Sequence, residues 1–263
     1  MHMKNKRILN DVFFTVQFAI DDFKAKYAGS VIGGAWAFLQ PIITIVLYWF
    51  IFQLGFKSAP VADFPFILWL MVGLIPWFFM SDGISNATPS LAEYSYLVKK
   101  VLFNINILPI AKLLSTLMVQ LVLLIFALLF YMGFGYFPDV YYLQMPIYLI
   151  YMLILSAGIV YITSTLYVFF RDTVQIVSIL LQIVFWLTPI VWDFDIMPEI
   201  VQKVLVFNPL YYVVAGYRNI FIYKNGFGNS LGMTAYYWIV ALLLLFVGIK
   251  LFKKCKDHFA DVL

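Results

Sequence analysis

Three carboxylates, Asp193, Asp195 and Glu199, lie close together in the pattern Asp-Phe-Asp-x-x-x-Glu. Paired carboxylates can act as general acid and base, so this spacing admits an enzyme working on a lipid-linked sugar. It fits a solvated helix edge at least as well. The two histidines, His2 and His258, stand at opposite termini, which disfavours imidazole catalysis and metal binding. The single cysteine, Cys255, permits no intrachain disulfide. The sequence holds no Gly-x-x-x-x-Gly-Lys-Ser/Thr loop and no His-Glu-x-x-His. We therefore assign no catalytic, cofactor-binding or metal-ligating residue, and the chain cannot hydrolyse a nucleotide alone.

Ionisable groups inside apolar runs mark ion or proton pathways, because a bilayer makes them costly. Here they are few. Asp82 falls at the inner end of one apolar run, and Lys112 falls near the start of another, placed to extend its ammonium to the cytosol. Arg171-Asp172-Thr173 sits between two runs, where the acid or the hydroxyl can cap the following helix. Ion-driven transporters need broken helices and polar groups near the midplane, and this chain is poor in both. An external energy source fits better.

The scaffold that must position these groups is overwhelmingly apolar. Of 263 residues, 64% are hydrophobic, 20% aromatic and 11% charged, against about 25% charged in soluble domains. Long uncharged runs without alternation predict membrane-spanning helices over 32–56, 64–83, 107–133, 145–169, 174–192 and 235–252. The expected fold is an all-α membrane protein: one domain over 1–263, with six transmembrane helices, an N-terminal amphipathic interface helix and a re-entrant hairpin before the last span.

Alternate connections share a side of the membrane. One side collects Lys4, Lys6, Arg7, Lys24, Lys26, Lys99, Lys100, Arg171, Lys250, Lys253, Lys254 and Lys256, while the other has Lys57, Lys203, Arg218 and Lys224. The positive-inside rule then puts both termini in the cytoplasm. The net charge of +4 reports topology, and nucleic acid is not an expected partner.

Three segments interrupt the spans. Over 8–26, Leu9, Val12, Phe13, Val16, Ile20 and Phe23 recur at helical spacing, which predicts an amphipathic helix on the inner surface. The connection 88–100 sets Glu93, Lys99 and Lys100 around apolar Leu91, Leu97 and Val98, as a partner-touching helix or a solvated turn would. The stretch 193–224 is apolar but broken at Asn208-Pro209 into pieces too short to span, which predicts a re-entrant hairpin or two interfacial helices.

Four motifs, in order, resemble those of the polysaccharide-export permeases of the type 2 ATP-binding-cassette transporters, which export O-antigens, teichoic acids and capsules. The first is Asp22-Phe23-Lys24-Ala25-Lys26-Tyr27, followed by Ser30-Val31-Ile32-Gly33 and the stretch from Trp36 to Pro41. The second runs from Leu97 to Lys112 and keeps Val101, Phe103, Leu108 and Pro109, with Asn104 where the family commonly has proline. The third is Phe170-Arg171-Asp172, and the fourth is Asn208-Pro209-Leu210 followed by Tyr217-Arg218. Together they span nearly the whole chain.

The resemblance implies a homodimeric membrane permease of the bacterial inner membrane. It would be driven by two copies of a separate P-loop nucleotide-binding subunit that binds ATP and Mg. Its cargo would be a lipid-linked glycan such as an O-antigen, with teichoic acid or a small lipid or drug as alternatives. Asp22, Lys24, Lys26, Glu93, Tyr96, Lys99, Arg171 and Asp172 would then couple to the ATPase. Lys24, Lys26, Tyr27, Lys99 and Lys100 would receive the lipid head group. Trp36, Tyr48, Trp186, Trp192, Asn208, Pro209, Tyr217 and Arg218 would belong to the channel or the re-entrant region.

Overall fold

Inside a bilayer every backbone N–H and C=O must be bonded within the protein, and in uncharged runs this long the helix is the form that achieves it. The computed structural model describes residues 2–55, 64–100, 104–226 and 231–263, with side chains from Asp11 onward. It is helical, with no strand among the described residues. Lys57, Val101 and Phe103 lie outside the described residues.

In chain order the helices are α1 (His2–Lys26), α2 (Trp36–Trp49), α3 (Phe66–Ala87), α4 (Ser90–Glu93), α5 (Ser95–Val98) and α6 (Ile107–Gly133). There follow α7 (Met145–Phe169), α8 (Thr173–Leu187), α9 (Glu199–Leu205), α10 (Pro209–Arg218), α11 (Leu231–Cys255) and α12 (Phe259–Val262). A 3-10 turn precedes α2 and π-helical turns follow α2 and α10, so that one apolar rod runs over Gly33–Gly55.

Up to Met80, α3 is apolar on every face, and it takes the centre, as such a helix must. Most of it is buried, against α2, α6, α7, α8 and α10. α7 and α11 form the closest helix pair, and glycine permits it. A Cβ on Gly158 would stand 2.6 Å from Leu245 N, and one on Gly248 would stand 2.5 Å from Gly158 O. Small residues allow backbones to approach this closely where no hydrophobic effect drives helices together. α2, α8 and α11 leave long apolar rows open, including Leu47, Ile179 and Phe246.

Among the described residues, five helices are long and apolar enough to cross a membrane by length and composition, and the expected sixth span is a shorter apolar helix. The segment expected to span over 174–192 forms α8, whose 15 residues reach only about 22 Å at 1.5 Å each. Pro189 explains the stop. It forces the preceding residue out of the helical region, and Thr188 is extended, with φ −101° and ψ 132°. Over 193–224 the chain forms two short helices, α9 of 7 residues and α10 of 10. Asn208 caps α10, its Oδ1 accepting the Leu210 N–H at 3.0 Å, and Pro209 starts the helix where its missing N–H costs nothing.

Candidate functional site

At the end of the bundle where α1 packs, a lysine joins three separate segments. α1 runs along α6, with Ala19 buried against Ile107 and Ala111. This register turns Asp22 inward, toward the first turns of α6. There Lys112 Nζ pairs with Asp22 Oδ1 at 2.8 Å and with Glu93 Oε2, from α4, at 2.7 Å. Tyr94 completes the group: its hydroxyl donates to Asp22 Oδ1 at 2.6 Å, and its ring lies 5.2 Å from the ammonium. The Phe18 ring meets Tyr94 edge-on at 5.0 Å.

Lys112 was expected to reach the cytosol. Its side chain is instead only 13% exposed, because two carboxylates hold it inside. Burial and the bond to Asp22 push the Tyr94 phenol well above its usual pKa, so it stays a donor. Tyr94 and Lys112 were not among the candidate coupling residues. A cation this far into an apolar helix needs anionic partners, and that requirement was the available signal.

Asn104 also ties down α1, since its Nδ2 donates to Asp11 Oδ2 at 3.3 Å and its Oδ1 accepts from Asn106 at 2.6 Å. The residue that departs from the resembled pattern thus makes bonds that proline cannot. Of the apolar row of α1, Val12, Phe13 and Val16 stay exposed, while the face packed on α6 carries Phe18, Ala19 and Asp22.

The remaining candidates of this end are spread over the surface. Tyr96, Lys24, Lys99, Lys100, Arg171 and Asp172 are exposed, with Arg171 lying over the Tyr167 ring at 4.9 Å. Asp172 occupies the N-cap position of α8 without making a cap bond, which corrects the expectation that it caps the helix. The Thr173 hydroxyl does not cap it either: it donates back to the Phe170 carbonyl, at 2.6 Å. Lys26, Tyr27 and Trp36 do converge, with Gln40, Asp82 and Asn86, around a polar cavity of about 300 Å³ between α2, α3 and α6.

At the opposite end, Arg218 is buried as a clamp. Its two terminal nitrogens donate to the carbonyls of Pro189 at 2.7 Å and Ile190 at 2.9 Å, and its guanidinium lies 3.6 Å from the Trp69 ring centre. Asn208 donates to Thr188 Oγ1 at 2.7 Å, so α10 grips the turn after α8 at both of its ends. Tyr217 is fully buried, with Gln120 Nε2 donating to its hydroxyl at 3.5 Å. These three side chains therefore hold the fold, and Pro209 accepts from the Tyr151 hydroxyl at 3.1 Å.

Of the aromatic candidates, Tyr48 packs on Phe185 at 6.0 Å, while Trp186 is exposed and accepts at its carbonyl from Trp192 Nε1 at 3.1 Å. α8 also carries a polar row that the sequence reading missed. Gln175, Ser178 and Gln182 are all exposed on it, three and four residues apart and therefore on one face.

Comparison with known proteins follows from this geometry. The family model described as ABC-2 type transporter matches residues 17–222. The chain is 30% identical to the O-antigen export system permease protein RfbA of Klebsiella pneumoniae over the full length of both. It is 26% identical to the RfbA protein of Myxococcus xanthus over 91% of each chain. It is also 26% identical to the polysialic acid transport protein KpsM of Escherichia coli, over 88% of this chain and 89% of that one.

Proposed function

The chain belongs to the ABC-2 type transporter family, and from that premise we propose that it is the permease of an ATP-driven exporter of a lipid-linked, O-antigen-like polysaccharide. As a multi-pass membrane transport subunit it works with a separate ABC ATPase and is not itself an enzyme. The observation that carries the cargo reading is similarity to an O-antigen export permease along the whole of both chains.

Two copies of the chain form the passage. The polar row Gln175, Ser178 and Gln182 supports this, because exposed amides in a membrane helix need water or protein around them. The outward row of α11, with Leu242, Leu243, Phe246 and Val247, carries no such groups and suits lipid. A two-fold pair meeting through α2 and α8 lines its centre with amides and with Tyr48 and Trp186. Both termini face the cytoplasm, since Phe18 of α1 and Phe259 of α12 pack in one cluster and α8 serves as a shorter sixth crossing, and the exposed row of Val12, Phe13 and Val16 rests on the inner leaflet.

The ATPase subunits bind ATP and Mg. Their movement reaches the spans through Lys112, which holds the amphipathic helix, the 88–100 connection and α6 at one point. The head group of the cargo is received at the cavity of Lys26, Tyr27 and Trp36.

Deletion of the gene should remove the surface glycan, and the wild-type gene should restore it. The chain should also co-purify with a P-loop ATPase. Retention of the glycan after deletion would refute the cargo, and absence of an ATPase partner would refute the energy source.

A further inference from the structure

A second cavity, of about 450 Å³, opens at the end of the bundle opposite α1, between α10, the turn at 193–195 and the first turns of α11. Its volume lies within the roughly 300–1,000 Å³ usual for small-ligand pockets. It is set apart from the polar row of α8. Tyrosines dominate its wall. Tyr212 stacks on Tyr237 at 4.8 Å on the floor, Tyr211 leans on Phe194 at 4.9 Å, and Tyr223 stands exposed at the rim.

Two carboxylates stand among these rings. Asp193 Oδ1 accepts the Asp195 N–H at 3.2 Å, which fixes the turn that carries both carboxylates to the wall. Asn219 adds an amide. Arg218 also borders the cavity, but its terminal nitrogens are bound to the Pro189 and Ile190 carbonyls and its face lies on Trp69. No lysine lines the wall among the described residues.

Flat aromatic faces beside carboxylate and amide groups suit a pyranose ring, which presents C–H bonds on its faces and hydroxyls around its edge. Two carboxylates, beside an arginine whose terminal nitrogens are held by backbone carbonyls, disfavour an anionic sugar. We propose that this cavity is a binding subsite for an uncharged stretch of the outgoing glycan, selective against acidic sugars. The proposal rests on the export reading and deepens it by naming a sugar class and a second place of contact.

The test uses the purified permease–ATPase complex in lipid nanodiscs, titrated with mannotriose, chitotriose, laminaritriose and α2,8-linked trisialic acid. At least one neutral trisaccharide should bind saturably, with trisialic acid about tenfold weaker or worse. Asp195→Ala and Tyr223→Ala should each weaken the neutral ligand about tenfold. Both positions are exposed, so the fold tolerates the changes, which unaltered thermal unfolding would verify. The subsite is overturned if no neutral trisaccharide binds, if both variants bind as the wild type does, or if trisialic acid binds equally well. Restoration of surface glycan by the wild-type gene in the deletion strain, measured alongside, separates the two ideas. Its failure defeats the export reading, whereas its success without the binding results defeats the subsite alone.

Discussion

Lys112 holds two carboxylates of unequal exposure, and that inequality sets what each contributes. Asp22 is 5% exposed, so Lys112→Met strands a buried anion and should cost about 3–5 kcal/mol. Glu93 is 45% exposed, and Glu93→Gln should cost no more than about 1 kcal/mol. Thermal unfolding of the two variants in detergent checks the order, and equal losses would contradict it. Tyr94→Phe should cost about 1.5–3 kcal/mol, the worth of a hydrogen bond to a charged group. Because burial and Asp22 raise the folded-state pKa of Tyr94, its contribution is complete below about pH 10 and is lost as pH rises further. A pH titration should therefore show the wild type losing its advantage over Tyr94→Phe only above that point. Asp22 and Glu93 were legible in the sequence as charged residues of two segments outside the spans. That they share one lysine was not, because a register of α1 on α6 decides it and no sequence spacing encodes that register.

Elements were easier to read where a run of uncharged residues acts alone. The segments that became α3, α6, α7 and α11 were visible from length and hydropathy, since lipid imposes the helix on each independently. The end of α8 was misjudged because its apolar run continues beyond Pro189, and the geometry of that residue ends the helix although hydropathy does not change. The fit between α7 and α11 was also hidden, as Gly158 and Gly248 are 90 positions apart in sequence and gain meaning only when they face each other. Gly158→Val should force the pair apart and lower stability by about 1–3 kcal/mol, read as earlier thermal unfolding and loss of the folded peak on size exclusion. Asn208→Ala removes the cap of α10 and its bond to Thr188, for which a loss of about 1 kcal/mol is expected by the same assay.

At the scale of the molecule, the two cavities described within one chain hold about 450 and 300 Å³, whereas α2 and α8 present open apolar rows interleaved with amides. A passage between two copies reconciles these features. With Cys255 replaced by alanine, Ile179→Cys on α8 should cross-link two chains in membranes, and Ile239→Cys on α11 should not. A cross-link at Ile239→Cys alone would move the interface to the other side of the bundle. The most direct test of the whole account places the permease with its ATPase in proteoliposomes and measures movement of a lipid-linked glycan. The account predicts movement that requires ATP and both proteins and that Lys112→Met abolishes while ATP is still hydrolysed. Movement by the permease alone, or undiminished movement by the Lys112→Met variant, would contradict it.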